Sequence, residues 1–537
     1  MIPIDSYGCD NDEEHDEGGA DEAQRSIPVI FRRASTWHTP ASLAESLARE
    51  EGVVLLDAHW AGRSNPHAPR FSFVAARPFL EFRSFGSRCE TRLPGHRSAA
   101  VQYGNPWRQL EVLVSRYEML EAIDVPVPLG ACFGYWGYGL KRFVEPRLVE
   151  HAERDLDLPD CHLGFYGSFV AFDHVLGAVF VVATGLAPDG SSSAARARAE
   201  ENFWLRRLER EPEPPPARSP ATWPHSSPPR QLPGGTAGPE VRSTFSRVGF
   251  IKAVRQAQQW IRQGHIYQVN LSQRLEADLH LEPWEFYSSM SQAACAPFSA
   301  YFDFGDFQIG SCSPELFLRM SAQSVVTRPI KGSRPASSNH AEDKRFSSEL
   351  CSSAKERAEL VMITDLLRND LGRICDYGSI QVPDLAAFEA HPYVKHLVST
   401  VEGQLRPGIT HCAALAACFP GGSVTGAPKI RAVEIIDDLE PVVRGPYTGA
   451  VGYLGFNRES QLSIAIRTAV FLGDRVYYGT GAGIVADSDA EAEYEETLVK
   501  ARIFFASLSE ATASAMPHHV VSADGDGGRS RTKWSAP

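Results

Sequence analysis

The sequence predicts an α+β fold: a layered architecture of mostly antiparallel sheets flanked by helices. Residues 26–205 break into short apolar runs separated by turns, such as "SIPVIFRR", "GVVLLDAHW" and "RFSFVAARPFLEFRS", the pattern of many short strands. Residues 241–512 mix helical and strand-like periodicity without the regular strand–helix alternation of a parallel sheet. Between them lies a Pro-rich linker or loop, 206–240; ten prolines fall within 211–240, more than a packed core tolerates.

The elements follow in order. Residues 1–25 form an acidic arm expected to be disordered. In the N-terminal domain, 26–205, "HLGFYGSFVAFDHVLGAVFVVATGL" holds two strands around Asp173–His174, and "SSAARARAEENFWLRRLER" closes the segment as a helix with basic residues in its last turns. The second domain, 241–512, opens with the amphipathic helix "FSRVGFIKAVRQAQQWIRQG", ending at Gly264, and the strand "HIYQVNLSQRLEADL". Further on, "EDKRFSSELCSSAKERAELVMITDLLRNDLGR" reads as one helix. A loose tail, 513–537, completes the chain.

Composition narrows the class. The chain has 537 residues, 43 % of them hydrophobic, and a net charge of −13 from 53 basic and 66 acidic side chains. That balance argues against nucleic acid as the main partner. No apolar run approaches the roughly 18 residues of a membrane span. Ten cysteines show neither CxxC spacing nor a Cys/His cluster, so a reducing, cytoplasmic setting is expected.

Three stretches imitate familiar motifs. "YYGTGAGIVAD" has glycines at 479, 481 and 483, but Ile484 stands where a dinucleotide fingerprint needs its last glycine. "GGSVTGAPKIRAVEIIDDLE" fails the P-loop spacing; it reads as a helix start with Pro428 in the first turn and an end near Thr425 and Gly426 suited to an anion. "GACFG" suggests a nucleophilic elbow at Cys132, with His151 and Glu153 as base and orienting acid. Only 18 residues separate Cys132 from His151, too few for a glutaminase domain, so a buried structural thiol is expected.

Two acidic pairs stand out. Glu356 and Glu359, and later Glu493 and Glu496, are each three residues apart on a predicted helix, with Lys500 one turn beyond the second pair. Such spacing puts both carboxylates on neighbouring positions of one face, where like charges repel. Solvated helix faces often carry such pairs, and Glu496–Lys500 reads equally well as a surface salt bridge. If the fold joins the pairs, four carboxylates would suit Mg²⁺. Lys331, in "VVTRPIKGSRP", taken alone reads as a solvated turn residue.

Nine fragments in order resemble the chorismate-utilising enzymes: "IYQVNLSQR" (266–274), "SCSPELFL" (311–318), "TRPIKGSRP" (327–335), "AKERAELVMITDLLRNDLGR" (354–373), "VKHLVSTVEG" (394–403), "GSVTGAPKIRAVEIIDDLE" (422–440), "GPYTGAVGYLGFN" (445–457), "IAIRTAV" (464–470) and "GTGAGIVADSDAEAEYEET" (479–497). The earlier "GACFGYWGYGLKRFVEP" is more loosely similar to the N-terminal part of anthranilate synthase and aminodeoxychorismate synthase large subunits. The resemblance implies chorismate bound through Mg²⁺ held by Glu356, Glu359, Glu493 and Glu496. It places Tyr447, Arg467, Lys500 and the backbone around Gly481 at the enolpyruvyl end or neighbouring carboxylate, His396 near the reacting ring, and Thr425 and Gly426 at the pocket rim. It assigns Glu315 to protonate the departing hydroxyl.

The resemblance also separates branches. Gln268 stands where water-activating relatives carry a lysine base, and an amide cannot deprotonate water at neutral pH. Lys331 stands where anthranilate synthases commonly have alanine and aminodeoxychorismate synthases a nucleophilic lysine. The expectation is therefore C4 amination of chorismate through a covalent lysine intermediate, with ammonia from a separate glutamine amidotransferase subunit. Anthranilate synthase component I is the alternative. A non-catalytic amino-acid-binding regulator is a third reading, disfavoured because the acidic pairs, Glu315 and Arg467 are all present.

Overall fold

Every strand pairing between named strands is antiparallel, and the strands assemble into two large sheets with helices packed against them. The computed structural model describes residues 28–59, 67–96, 98–119, 125–212, 240–337, 339–390 and 394–515. The predicted acidic arm, most of the 206–240 linker and nearly all of the 513–537 tail lie outside these residues. The expected layered α+β architecture is the one observed.

Neither sheet belongs to one half of the chain. In the first, Val54–Asp57 pairs with Phe298–Asp303, and the sheet continues through Gln308–Ser313, Thr468–Leu472 and Arg475–Ile484 to Gln268–Asp278. In the second, Ala131–Trp136 pairs with Ala450–Gly455, and the sheet runs on through Glu459–Ile464, Leu316–Ser321, Ser324–Arg328 and Val394–Gln404 to Ile330–Pro335. The proline-rich segment thus separates stretches of sequence whose strands interleave. Aromatic rings from both sheets meet between them: Phe73 and Phe169 from the first, Phe133 and Tyr453 from the second, with Phe73–Tyr453 at 5.2 Å and Phe133–Phe169 at 5.6 Å between centroids. Edge-on contacts of this kind add to the large apolar area the rings bury.

Three elements differ from the sequence reading. The stretch around Asp173 contributes three strands, Cys161–Tyr166, Ser168–Asp173 and Ala178–Ala183, because Gly167 separates the first two. The long acidic helix is two helices, His340–Ser352 and Ala354–Gly372. Ser353 leaves helical geometry at ψ 100 and its hydroxyl accepts the Glu356 N–H, capping the second helix. Pro428 is the N-cap of Lys429–Leu439, one position earlier than predicted.

A buried lysine ties the two halves further. Lys141 donates to Asp437 at 2.5 Å, with both side chains almost fully enclosed. At the seam of the second sheet Gly134 and Gly452 face one another in register. Gly452 has φ +151, and a Cβ there would lie 2.1 Å from the Gln461 carbonyl oxygen. Backbone blocks that atom, so relief requires moving the sheet. Gly452→Ala is therefore expected to cost on the order of 2–4 kcal/mol, read as a lowered midpoint in chemical or thermal unfolding.

Candidate active site

Strand Ile330–Pro335 carries Lys331 into the interior by means of an irregularity. Lys331 pairs with Leu397 and Ser333 with His396, leaving Gly332 as an extra residue in the ladder. Gly332 has φ +71, a conformation glycine adopts without a Cβ penalty, and a Cβ there would fall 2.8 Å from Glu356 Oε2. Lys331 is thus half-buried, with Nζ 3.5 Å from the Ser423 carbonyl, and not a solvated turn residue. Burial and the neighbouring charge of Lys500 lower its pKa, against the opposing pull of Glu359, Glu315 and Glu496. The adjacent arginines are engaged elsewhere: Arg328 pairs with Glu389, and Arg334 with Glu356 at 2.9 Å.

Glu315 lies immediately before strand Leu316–Ser321, 6 % exposed. Burial raises its pKa to about 7, although a hydrogen bond from Ser423, the charge of Lys331 and the Ile330 N–H all favour the ionised form. Desolvation wins. The site therefore holds a carboxyl that can be protonated near neutrality beside an amine biased toward its neutral form.

The glycines at 479, 481 and 483 lie on one face of strand Arg475–Ile484, inside the strand and short of the turn that precedes helix Ala490–Lys500. A Cβ would meet the Tyr447 ring at 479 (2.3 Å), Asn270 Oδ1 at 481 (2.8 Å) and Gln268 Nε2 at 483 (2.6 Å), with Lys331 Nζ 3.8 Å from the last. This face is a floor on which larger groups rest. Gln268 is 1 % exposed and its Oε1 has no hydrogen-bond partner among the described residues. Lys500 donates to the Gly481 carbonyl at 3.0 Å. Tyr447 closes one end, beside a pocket also lined by Tyr138, Lys141, Arg444 and Gly479.

The two acidic helices face each other across Lys331. Glu359 feels the charges of both Glu356 and Glu496; burial, reinforced by those charges, raises its pKa. Burial likewise raises Glu493. For Glu496 burial works in the same direction, but Lys500, Lys331 and Lys355 outweigh it and hold the carboxyl below its usual range. Each carboxylate is turned onto a protein partner: Glu356 to Arg334, Glu359 to Lys355 at 4.0 Å, Glu493 to Ser488 at 2.6 Å and Glu496 to Lys500 at 2.7 Å. Among the described residues no three His, Cys, Asp or Glu groups converge in a metal-binding arrangement. The all-carboxylate donor set, with a buried and unpartnered Glu356 Oε2, nevertheless fits a hard divalent cation once those partners are exchanged.

The remaining predicted residues divide. His396 is 2 % exposed and its Nδ1 lies 2.9 Å from the Ser333 hydroxyl. Arg467 has φ +52 and pairs with no carboxylate among the described residues; its charge falls on Tyr478 and Cys312. The anion site read at Thr425 and Gly426 is altered by the fold. The Thr425 hydroxyl donates to the Gly421 and Gly422 carbonyls, its N–H to Gly422, and a Cβ at Gly426 would meet the Gln268 carbonyl oxygen at 2.2 Å. Those groups shape the turn. Cys132 is fully buried with its thiol raised to about 12, and His151 bonds Asp438 instead. Ser423, inside the site, and Lys355, at the exposed edge of the acidic cluster, give no signal in the sequence, where a serine in a glycine-rich turn and a lysine beside a glutamate carry no distinctive spacing.

Glu315 yields a stability test. Its folded-state pKa lies above the ordinary 4.5, so ionising it costs the folded protein; the cost is absent below about pH 4.5 and complete above about pH 7. Glu315→Gln should stabilise the fold by up to about 3 kcal/mol at pH 8 and by nothing at pH 4, measured by denaturant titration at both pH values.

Comparison with known proteins agrees with this geometry. The family model described as chorismate binding enzyme matches residues 65–506. Anthranilate synthase component 1 of Thermus thermophilus is 38 % identical over 487 residues, covering 88 % of this chain and 96 % of that protein. Aminodeoxychorismate synthase component 1 of Escherichia coli is 36 % identical over 432 residues, covering 80 % and 88 %. The crystal structure of anthranilate synthase component I from Streptococcus pneumoniae TIGR4 superposes with a TM-score of 0.68 at 31 % identity, over 83 % of this chain and 94 % of that one. Spanned by the family model from 65 to 506 and aligned with both kinds of synthase over most of its length, the chain belongs to the chorismate-binding enzymes of the anthranilate and aminodeoxychorismate synthase component I family.

Proposed function

We propose that the protein aminates chorismate at C4, as the component I of an aminodeoxychorismate synthase, using ammonia from a glutamine amidotransferase partner. The observation that carries this reading is Lys331: an amine biased toward neutrality, inside the site and beside a carboxyl whose pKa is about 7. A nucleophilic lysine needs that environment, because a protonated amine has no free electron pair.

Glu315 gives its proton to the C4 hydroxyl, which leaves as water. The Lys331 amine forms a C–N bond at C2 as the ring double bonds shift, and the resulting ammonium loses a proton. Ammonia then attacks C4, the double bonds shift back, and the C2–N pair returns to Lys331 with a proton. The balance is chorismate and ammonia in, 4-amino-4-deoxychorismate and water out. Gln268, an amide where a lysine base would activate water, fits ammonia as the nucleophile. Glu356, Glu359, Glu493 and Glu496 would hold Mg²⁺, which when bound polarises the ring carboxylate. Arg467 and Lys500 supply charge for a dianionic substrate.

Anthranilate synthase is the second reading. The relatives of that name from Cereibacter sphaeroides and Thermus thermophilus align over 90 % and 88 % of this chain, against 80 % for the Escherichia coli aminodeoxychorismate synthase. Incubation with chorismate, Mg²⁺ and ammonium separates the two. C4 amination predicts p-aminobenzoate only after a lyase is added; direct formation of fluorescent anthranilate would defeat it. Lys331→Ala is expected to lower C4 amination by at least about 10²-fold, and mass spectrometry of wild-type enzyme during turnover should find a Lys331 adduct.

A further inference from the structure

The short turn Gly422–Val424 touches both reacting groups. The Ser423 hydroxyl hydrogen-bonds the Glu315 carboxyl, and the Ser423 carbonyl faces Lys331 Nζ at 3.5 Å. Ser423 is itself 7 % exposed, so water does not compete freely for either contact.

We infer that Ser423 is the positioning residue of the proton-donating centre, orienting the Glu315 carboxyl through its hydroxyl while its carbonyl keeps the Lys331 amine alongside. The inference rests on the reading of Glu315 as the acid.

The surroundings keep this turn from sliding away. Thr425 Oγ1 bonds the carbonyls of Gly421 and Gly422 at 3.1 and 3.2 Å. On one side the turn abuts the acidic helix, where Leu366 lies 2.7 Å from the position of a Cβ on Gly422; on the other, Ile464 lies 2.5 Å from the corresponding point on Gly421. The Ile464 N–H in turn bonds the Glu315 carbonyl at 3.1 Å. The turn therefore references the acid to the helix that carries Glu356 and Glu359. A hydroxyl fixed in this way selects one carboxyl orientation; a flexible one would follow the carboxyl wherever it turned.

Glu315 faces Lys331 and the Ile330 N–H from strand Ile330–Pro335, Ser423 from the turn, and Lys500 from helix Ala490–Lys500. Ser423 is the uncharged side chain in that set, so removing its hydroxyl changes a hydrogen bond and leaves every charge in place. A hydrogen bond to the ionised carboxylate favours ionisation; without it Glu315 keeps its proton to higher pH and is a weaker acid.

The test is the pH dependence of chorismate consumption, a readout indifferent to which carbon is aminated. Wild type should lose kcat/KM above about pH 7, as Glu315 ionises. Ser423→Ala should move that limb upward by about one to two pH units, lower kcat about tenfold and leave KM for chorismate within about twofold. Ser423→Thr should restore both limb and kcat, and Ser423→Cys, a weaker donor of similar size, should fall between. A limb unmoved in Ser423→Ala and Ser423→Cys, but abolished in Glu315→Gln, would overturn the role of Ser423 alone. A limb that survives Glu315→Gln would overturn the acid assignment itself, and the inference with it.

Discussion

Placing a carboxyl and an amine side by side in a site where burial shifts the pKa of both biases each toward its neutral form. Glu315 and Lys331 are shifted in opposite directions for the same reason, since desolvation penalises whichever form is charged. In open solvent the pair would settle as a carboxylate and an ammonium, neither able to protonate a leaving group or attack a ring near pH 7. The two interleaved sheets serve this constraint. They bring Glu315 and Lys331, from different parts of one sheet, under the glycine floor of the other, and the helices close over them.

Charge compensation surrounds this neutral centre. Four glutamates would repel one another across the site, yet each has a cation or hydroxyl of the protein's own: Arg334, Lys355, Ser488 and Lys500. Lys500 has a second task, because it also presses Lys331 toward neutrality and bonds the Gly481 carbonyl. A substrate carboxylate drawing on Lys500 would thereby change the charge felt at both Glu496 and Lys331. The acidic helices and the nucleophile are electrically one site.

Much of this was legible in particular residues. The antiparallel, helix-flanked architecture follows from short alternating runs and from the lack of a strand–helix rhythm, and the Glu356/Glu359 and Glu493/Glu496 pairs advertise themselves by helical spacing. The break at Ser353 was hidden because apolar material continues across it; only the local cap geometry ends one helix and starts the next. The partners of Thr425 were hidden for a related reason: the Gly421 and Gly422 carbonyls that take its hydroxyl are brought to it only by the folded turn.

The amino-acid order by itself determined which chemical groups exist and how they recur: an acid in "SPE", a lysine before a glycine, two acidic pairs, an amide where a base could stand. These are local properties, set by covalent sequence and helical or strand period. Only the tertiary structure decided that the lysine lies inside, that its charged neighbour is Lys500 and not Arg328 or Arg334, and that Ser423 joins the acid to the amine. Those outcomes depend on desolvation and on contacts between residues up to about 170 positions apart, which no local pattern encodes.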